Sequence, residues 1–354
     1  MKRIQPLKAP NEIISFDDRR ITYPKMGSVK YDGYRMMTNG AEMWAPSGKD
    51  LANLNLRGRF CAFLDWVRQN RLFVDGELYS PSVPFETFGG IIRSTYKQLP
   101  DDLDYYVFHM EPIDYVYKGG QSFAKVCGHM DVFRQHCIHD HVHIIPQIQL
   151  NTPSDAQSLF DHLITSGEEG LMLRCPHKGY KNGPRCTHKQ DWLFKFKHYE
   201  TFDAVIVGVQ QARGLRDDAG AETNIYGLTE RSRAADQLQP LPRIGSFKVY
   251  HNGKTFNITP GKGFNVPTRE LWWEQYQSNP DHFLGKVVEG LYMPHGTSDK
   301  PRIGRLKRFR PDKTAAEVVG QVGLWEVGQR CTAENCGGSI VTNGTDSWCP
   351  KCGF

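Results

Sequence analysis

The sequence predicts an α+β protein: first a region of antiparallel sheets with flanking helices, then a small β-barrel, then a short cysteine-rich tail. Three observations carry this expectation. Short runs rich in β-branched and aromatic residues, bounded by Gly, Pro or Asp, dominate the first two hundred residues, with helical patterns between them. Further strand-like runs follow a polar stretch and suit a five-stranded barrel. Four of the nine cysteines crowd the last 24 residues.

In chain order, the strand-like runs are Arg71 to Tyr79, Asp104 to Met110, Gly170 to Arg174, Trp192 to Lys197 and Ala204 to Val209. Leu56 to Asn70 carries Phe60, Phe63, Leu64 and Val67 at helical spacing, and Pro153 to Thr165 opens with a Ser154 or Asp155 cap before Leu159, Phe160 and Leu163. Both helices should pack on sheet faces. Gln210 to Pro242 is polar and almost without apolar periodicity, which reads as a long loop or insertion. Gly245 to Tyr250 and Thr255 to Ile258, around Asn252-Gly253, read as a hairpin, and Lys286 to Met293 and Leu306 to Arg310 add strands. With Ala204 to Val209 as first strand, these complete the barrel. The expected domains are residues 1–200, 201–322 and 323–354.

Apolar residues make up 39% of the 354, with 19 Phe, 15 Tyr and 7 Trp, which excludes disorder as the main state. No apolar stretch approaches the ~20 residues that span a bilayer, and the amino end holds no run of signal-peptide length. A cytoplasmic, unsecreted monomer without a membrane partner is expected. The net charge of +5, from 44 basic and 39 acidic residues, permits a nucleic-acid partner without requiring one. The strongest local positive field is Lys300 to Lys313, with seven basic residues. Cys61, Cys127, Cys137, Cys175 and Cys186 are scattered, whereas Cys331, Cys336, Cys349 and Cys352 cluster, so reduced thiols and one metal site are expected rather than a disulfide framework.

The chemistry begins at Lys30-Tyr31-Asp32-Gly33-Tyr34-Arg35. Lys30 is the candidate nucleophile, and an amine that attacks phosphorus must be neutral, a state that neighbouring positive charge favours. The other pieces follow in a fixed order. Asp75-Gly76-Glu77 interrupts a strand, Phe108 sits mid-strand, Glu169-Gly170 opens another, and Lys195 and Lys197 share one face by alternation. Two carboxylates, three lysines and one aromatic suit a metal-bound triphosphate with a stacked base.

This ordered set resembles the superfamily of covalent lysine-nucleotide transferases, and most closely the ATP-dependent DNA ligases of bacteriophages, over roughly residues 25 to 320. KYDGYR is similar to the nucleophile motif, VDGEL to the second carboxylate motif, YYVFHM to the base-stacking strand, EGLMLR to the metal-carboxylate motif, WLFKFK to the paired-lysine motif and RFRPDK to the carboxy-terminal phosphate motif. The resemblance implies an adenylation domain followed by an OB-fold, and a nick-sealing reaction through lysyl-AMP on Lys30. It implies that Asp32 positions the 3′-hydroxyl and metal, Arg35 and Glu77 the ribose and flanking phosphate, and Phe108 the adenine. Glu169, with Glu77, would hold Mg²⁺; Lys195 and Lys197 would neutralise the α-phosphate; Arg310 and Lys313 would orient pyrophosphate in a closed state. ATP, Mg²⁺ and nicked double-stranded DNA are the implied cofactors and partner.

The chain departs from that pattern twice. Ser28 stands where many ligases carry a glutamate that reads the adenine amino group. The turn after the nucleophile strand, Ala45-Pro46-Ser47-Gly48-Lys49, lacks the family's arginine, and Lys49 is the candidate substitute. The four-cysteine tail lies outside the resemblance. Its spacing, Cys331-x₄-Cys336 and Cys349-x₂-Cys352, can enclose a tetrahedral structural Zn²⁺ as a zinc-ribbon-like module. The alternatives within the superfamily are an mRNA-capping guanylyltransferase, which shares the lysine motif, or an RNA ligase. The capping enzymes' usual Asp-Gly-Leu-Ile-Phe is here Glu169-Gly170-Leu171-Met172-Leu173, which favours the ligase.

Overall fold

The computed structural model describes residues 3–11, 14–136, 139–294, 301–319, 326–330, 339–342 and 347–348. The chain forms two compact units, Met1–His198 with Thr223–Thr229, and Tyr199–Glu222 with Glu230–Phe354.

The first unit contains β1 (Lys25–Lys30), β2 (Tyr34–Thr38), β3 (Met43–Trp44), α1 (Asn55–Arg59), α2 (Cys61–Gln69), β4 (Leu72–Tyr79), α3 (Phe85–Ile92), β5 (Asp104–Pro112), α4 (Ile113–Tyr117), α5 (Phe123–His136), β6 (Val142–Ile144), β7 (Ile148–Leu150), α6 (Pro153–Thr165), β8 (Gly170–Arg174) and β9 (Leu193–Lys197). Two sheets organise it, in strand orders β3-β2-β4-β5-β6 and β7-β1-β8-β9. Side-chain alternation gives each strand two duties. On β4, Val74 and Leu78 join the core that includes Phe63 and Phe88, whereas Phe73 faces the opposite side with Asp75 and Glu77. On β8 and β9, Leu171, Leu173, Phe194 and Phe196 share a core with Ala156 of α6, leaving Met172, Arg174, Leu193 and Lys195 to the other face.

The amino-terminal segment is a strap held from several sides. Ile4, Leu7 and Ala9 are buried, the Trp44 indole N–H donates to the Ile4 carbonyl at 3.1 Å, and the Leu7 N–H donates to the Tyr180 hydroxyl at 3.1 Å. The sequence patterns miss this segment because it has no periodicity.

The second unit contains β10 (Glu200–Leu215), β11 (Ala221–Thr223), β12 (Thr229–Arg231), β13 (Leu238–His251), β14 (Lys254–Pro260), α7 (Val266–Ser278), β15 (Val287–Met293), β16 (Arg302–Phe309), α8 (Ala315–Val319), β17 (Glu326–Arg330), β18 (Ser339–Thr342) and β19 (Ser347–Trp348), although β11 and β12 reach into the segment grouped with the first unit. A closed barrel runs β10-β13-β14-β16-β15, filled by Ile206, Phe247, Val249, Ile258, Val288 and Leu306. The β13–β14 turn places Asn252 and Gly253 at φ 46° and 76°, the left-handed geometry that Asn-Gly favours. β17, β18 and β19 form a three-stranded sheet.

Three local expectations need correction. The run Leu56 to Asn70 is two helices, because Phe60, with its ring buried, leaves helical geometry at φ −109° and ψ 16°. The cap of α6 is Thr152, whose hydroxyl accepts from the Asp155 N–H at 3.1 Å while the Asp155 carboxylate accepts from the Thr152 N–H at 3.0 Å. Gln210 to Pro242 is not a long loop: β10 and β13 stay paired as far as Leu215 and Leu238. A two-stranded arm satisfies its backbone through the ladder itself, and most side chains along it are exposed or half-buried, so it shows little hydrophobic alternation.

Candidate active site

The face between the two sheets of the first unit encloses a cavity of about 210 Å³. Register explains its chemistry. Across β1, β8 and β9 the residues form rows: Lys30 opposite Gly170 opposite Lys197, then Ser28 opposite Met172 opposite Lys195. One face therefore carries three lysines, with a gap at the glycine. Gly170 is required there, since a Cβ would lie 2.0 Å from the Phe196 carbonyl oxygen. The preceding residue, Glu169, fills the gap from the strand end, with its side chain wholly buried. One of its oxygens pairs with the Lys30 ammonium and the other with that of Lys197, the latter at 2.5 Å.

Burial and the repulsion of Lys30 push Lys197 down, against the pull of its Glu169 partner, and the net direction is downward. Asp32, in the turn after β1, opposes this shift electrostatically. Lys195 is pushed down to about 8 by burial, with Arg185, Lys197 and Lys30 adding repulsion. Its Nζ donates to the Asn11 side-chain oxygen at 3.1 Å.

The facing sheet supplies the opposite wall. Arg35 makes a two-point pair with Asp75, Nε to Oδ1 at 2.8 Å and Nη2 to Oδ2 at 2.5 Å, and Nη1 donates to the Leu7 carbonyl at 2.8 Å. Asp75 is fully buried and also accepts from the Tyr180 hydroxyl at 2.6 Å. Phe108 is the extra residue of a bulge, since Asp75 pairs with His109 and Gly76 with Val107. Its ring lies 5.1 Å from the Arg35 guanidinium carbon. Burial pushes the Glu77 carboxyl up to about 8, against the pull of Lys30 and Arg35 and with the help of Glu169 and Asp75.

Beneath this wall lies a buried polar relay. The Arg174 guanidinium can only donate, so His109 Nδ1, at 3.1 Å, is the acceptor, and Nε2–H donates to Glu111 at 2.9 Å. Burial and the Arg174 charge hold His109 neutral, down to about 4.

Of the residues singled out by sequence, Lys30, Arg35, Glu77, Phe108 and Lys195 line the cavity, with Ser28, and Glu169 and Lys197 adjoin it through their ion pairs. Arg310 and Lys313 belong to the second unit, where both pair with Asp203, at 3.0 Å and 2.5 Å. Lys49 is exposed and does not line the cavity, which corrects its expected role. Sequence reasoning missed Lys8, Tyr180 and Arg185 in the lining, for they lie in segments without periodicity, and the pairing role of Asp75. The four tail cysteines fall outside the described residues. Among the described residues no group of three or more His, Cys, Asp or Glu forms a metal cluster. Among them too, no helix is long and apolar enough to cross a membrane.

Comparison with known proteins agrees with this geometry. Residues 21–197, half of the chain, match the family model described as ATP dependent DNA ligase domain. A probable DNA ligase of Opitutus terrae is 29% identical over 178 residues, covering 49% of this chain and 16% of that protein. A probable DNA ligase of Sorangium cellulosum is 28% identical over 191 residues, covering 49% of this chain and 31% of that protein. The chain thus spans less than a third of the length of these two relatives. A solved structure from a study of Lig E DNA ligases shares the fold, with a TM-score of 0.56 and 20% identity over 88% of this chain and 100% of that one. With its matched half folded around the Lys30–Glu169–Lys197 ion pairs, the chain belongs to the ATP-dependent DNA ligase domain family.

Proposed function

We propose that this chain is an ATP-dependent DNA ligase that seals nicks with a 5′-phosphate and a 3′-hydroxyl in double-stranded DNA. The observation that carries the reading is the shared ion pair: Lys30 and Lys197 sit in one row and meet on the two oxygens of buried Glu169. A nucleophilic amine beside a second cation, in a cavity with further cations, suits attack on a phosphoanhydride.

In the first step the neutral Lys30 amine forms a bond to the α-phosphorus of ATP, the bond to pyrophosphate breaks, and the amine proton leaves to solvent. In the second, a 5′-phosphate oxygen takes the AMP and frees the lysine. In the third, the 3′-hydroxyl displaces AMP and loses its proton as the phosphodiester forms. Lys195 and Lys197 balance phosphate charge during these transfers, and in a closed state, after leaving Asp203, Arg310 and Lys313 would orient the pyrophosphate. Arg35, held by Asp75, orients the ribose with Glu77, Phe108 offers the adenine a stacking surface, and Asp32 positions the 3′-hydroxyl.

Glu169 and Glu77 fit a magnesium ion. Glu169 is a wholly buried carboxylate beside the phosphate-binding lysines and would exchange its Lys30 contact for the metal; Mg²⁺ is commonly held by one or two carboxylates plus substrate phosphates. When bound, it supplies charge neutralisation at the phosphates. The closed five-stranded barrel is read as an OB-fold that contacts the duplex. Cys331, Cys336, Cys349 and Cys352 are read as ligands of one structural Zn²⁺.

The test is incubation with labelled ATP or GTP followed by a denaturing gel, alongside Lys30→Ala. ATP should give a covalent band that the variant lacks, and the adduct should convert a nicked duplex to sealed product. A band with GTP alone would replace the ligase by a capping enzyme, and a band retained in the variant would refute Lys30.

A further inference from the structure

We propose that Lys8, from the amino-terminal strap, is a phosphate-binding residue of the cavity, supplying the cation that the turn Ala45–Lys49 does not. The inference rests on the nucleotidyl-transfer reading of the same cavity and adds a residue to it.

The first observation is placement. Lys8 lines the cavity, half-buried, between two buried strap residues, Leu7 and Ala9. Its backbone is clamped on both sides. The Leu7 carbonyl accepts from Arg35 at 2.8 Å, the Lys8 carbonyl accepts from the Cys186 N–H at 2.9 Å, and the Ala9 carbonyl accepts from Arg185 at 2.5 Å. Two of these donors are themselves cations that line the cavity. A lysine on such a backbone presents its ammonium at a defined place, with little ordering cost left for binding.

The second observation is charge. The Lys8 ammonium reaches the Pro46 carbonyl at 3.4 Å, a long contact, and among the described residues no carboxylate pairs with it or with Arg185. Burial lowers its proton affinity, and Arg185 and Arg35 lower it further by repulsion. Cations gathered in a partly desolvated pocket without counter-charge cost stability unless an anion neutralises them. Arg35 has its partner in Asp75, so the excess falls on Lys8, Arg185 and Lys195, of which Lys8 and Arg185 sit on the strap side.

The third observation is the turn. Lys49 is exposed and outside the lining, while the Lys8 ammonium touches that same turn at Pro46. The strap thus delivers a point charge to the edge from which the turn itself sends none.

The ligand is a phosphate group. Its source is either the nucleotide or the 5′-phosphate of a polynucleotide, and the assays separate the two. Lys8→Met keeps the aliphatic stem and removes the charge; Lys8→Arg restores a cation. Three measurements are made on the full chain: calorimetric affinity for inorganic pyrophosphate, the rate of adduct formation against ATP concentration, and single-turnover transfer of AMP from adduct to a nicked duplex. A charge-assisted hydrogen bond is worth roughly ten- to a hundredfold. A nucleotide contact should raise the ATP concentration for half-maximal adduct formation, and weaken pyrophosphate, by about that factor. A 5′-phosphate contact should leave adduct formation intact and slow transfer by the same factor. Lys8→Arg should recover most of either loss, and the ligand-free Lys8→Met variant should melt no lower than wild type, since it loses an uncompensated charge. If Lys8→Met equals wild type in all three measurements, the inference is overturned. If wild type forms no adduct yet Lys8→Met weakens pyrophosphate binding, the Lys8 site stands and the ligase reading falls.

Discussion

Gly170→Ala probes the register that builds the site. A methyl group there would lie 2.0 Å from the Phe196 carbonyl oxygen and 3.1 Å from the Lys197 Cα. Carbon–oxygen contacts begin at about 3.3 Å, so β8 and β9 must part by roughly 1 Å. Overpacking of this kind costs ~1–3 kcal/mol of stability. The displacement falls on the row that joins Lys30, Gly170 and Lys197, and on Glu169 beside it. A misplacement of about 1 Å at reacting groups costs roughly a hundredfold in rate. The expected result is a lowered urea midpoint and adduct formation slowed about a hundredfold in single turnover with labelled ATP. Gly128→Ala is the control: it lies on α5 with nothing within 4 Å of the added carbon, so it should gain ~0.5–1 kcal/mol and leave the adduct rate alone. Wild-type stability and rate in Gly170→Ala would refute the close-approach reasoning.

Two further outcomes are expected. Lys195 stands near 8 in the folded chain, below the ordinary lysine value, so it is charged below about pH 8 and loses its charge as pH rises through that point. Adduct formation at subsaturating ATP, which reports the free enzyme, should therefore fall on the alkaline side, and Lys195→Arg should move that limb upward; an unmoved limb removes Lys195 from phosphate neutralisation. Metal analysis of protein purified without chelator should find one Zn²⁺ per chain, and four titratable thiols among Cys331, Cys336, Cys349 and Cys352 with no metal would sink the tail assignment.

What the sequence by itself determined is local. Strand-like composition with bounding turn residues marked Gly170 to Arg174, and the structure has a strand over the same residues; Trp192 to Lys197 differs from its strand by one residue. Period and turn chemistry are short-range, so they survive without knowledge of neighbours. The order of the motif residues likewise named Lys30, Arg35, Glu77, Phe108 and Lys195 before their shared cavity was visible. Tertiary structure alone decided which of these groups meet. Glu169 pairs with Lys30 across 139 positions of chain, and Asp75 with Arg35 and Tyr180 across 40 and 105. Such pairings depend on strand register and sheet stacking, which no local pattern encodes. The same holds for Lys8: within its own segment it is one cation on an aperiodic stretch, and only packing of Ile4, Leu7 and Ala9 into the core turns it toward the cavity. The β10–β13 arm was illegible for the opposite reason, because its ladder is held by backbone hydrogen bonds, to which side-chain periodicity is blind.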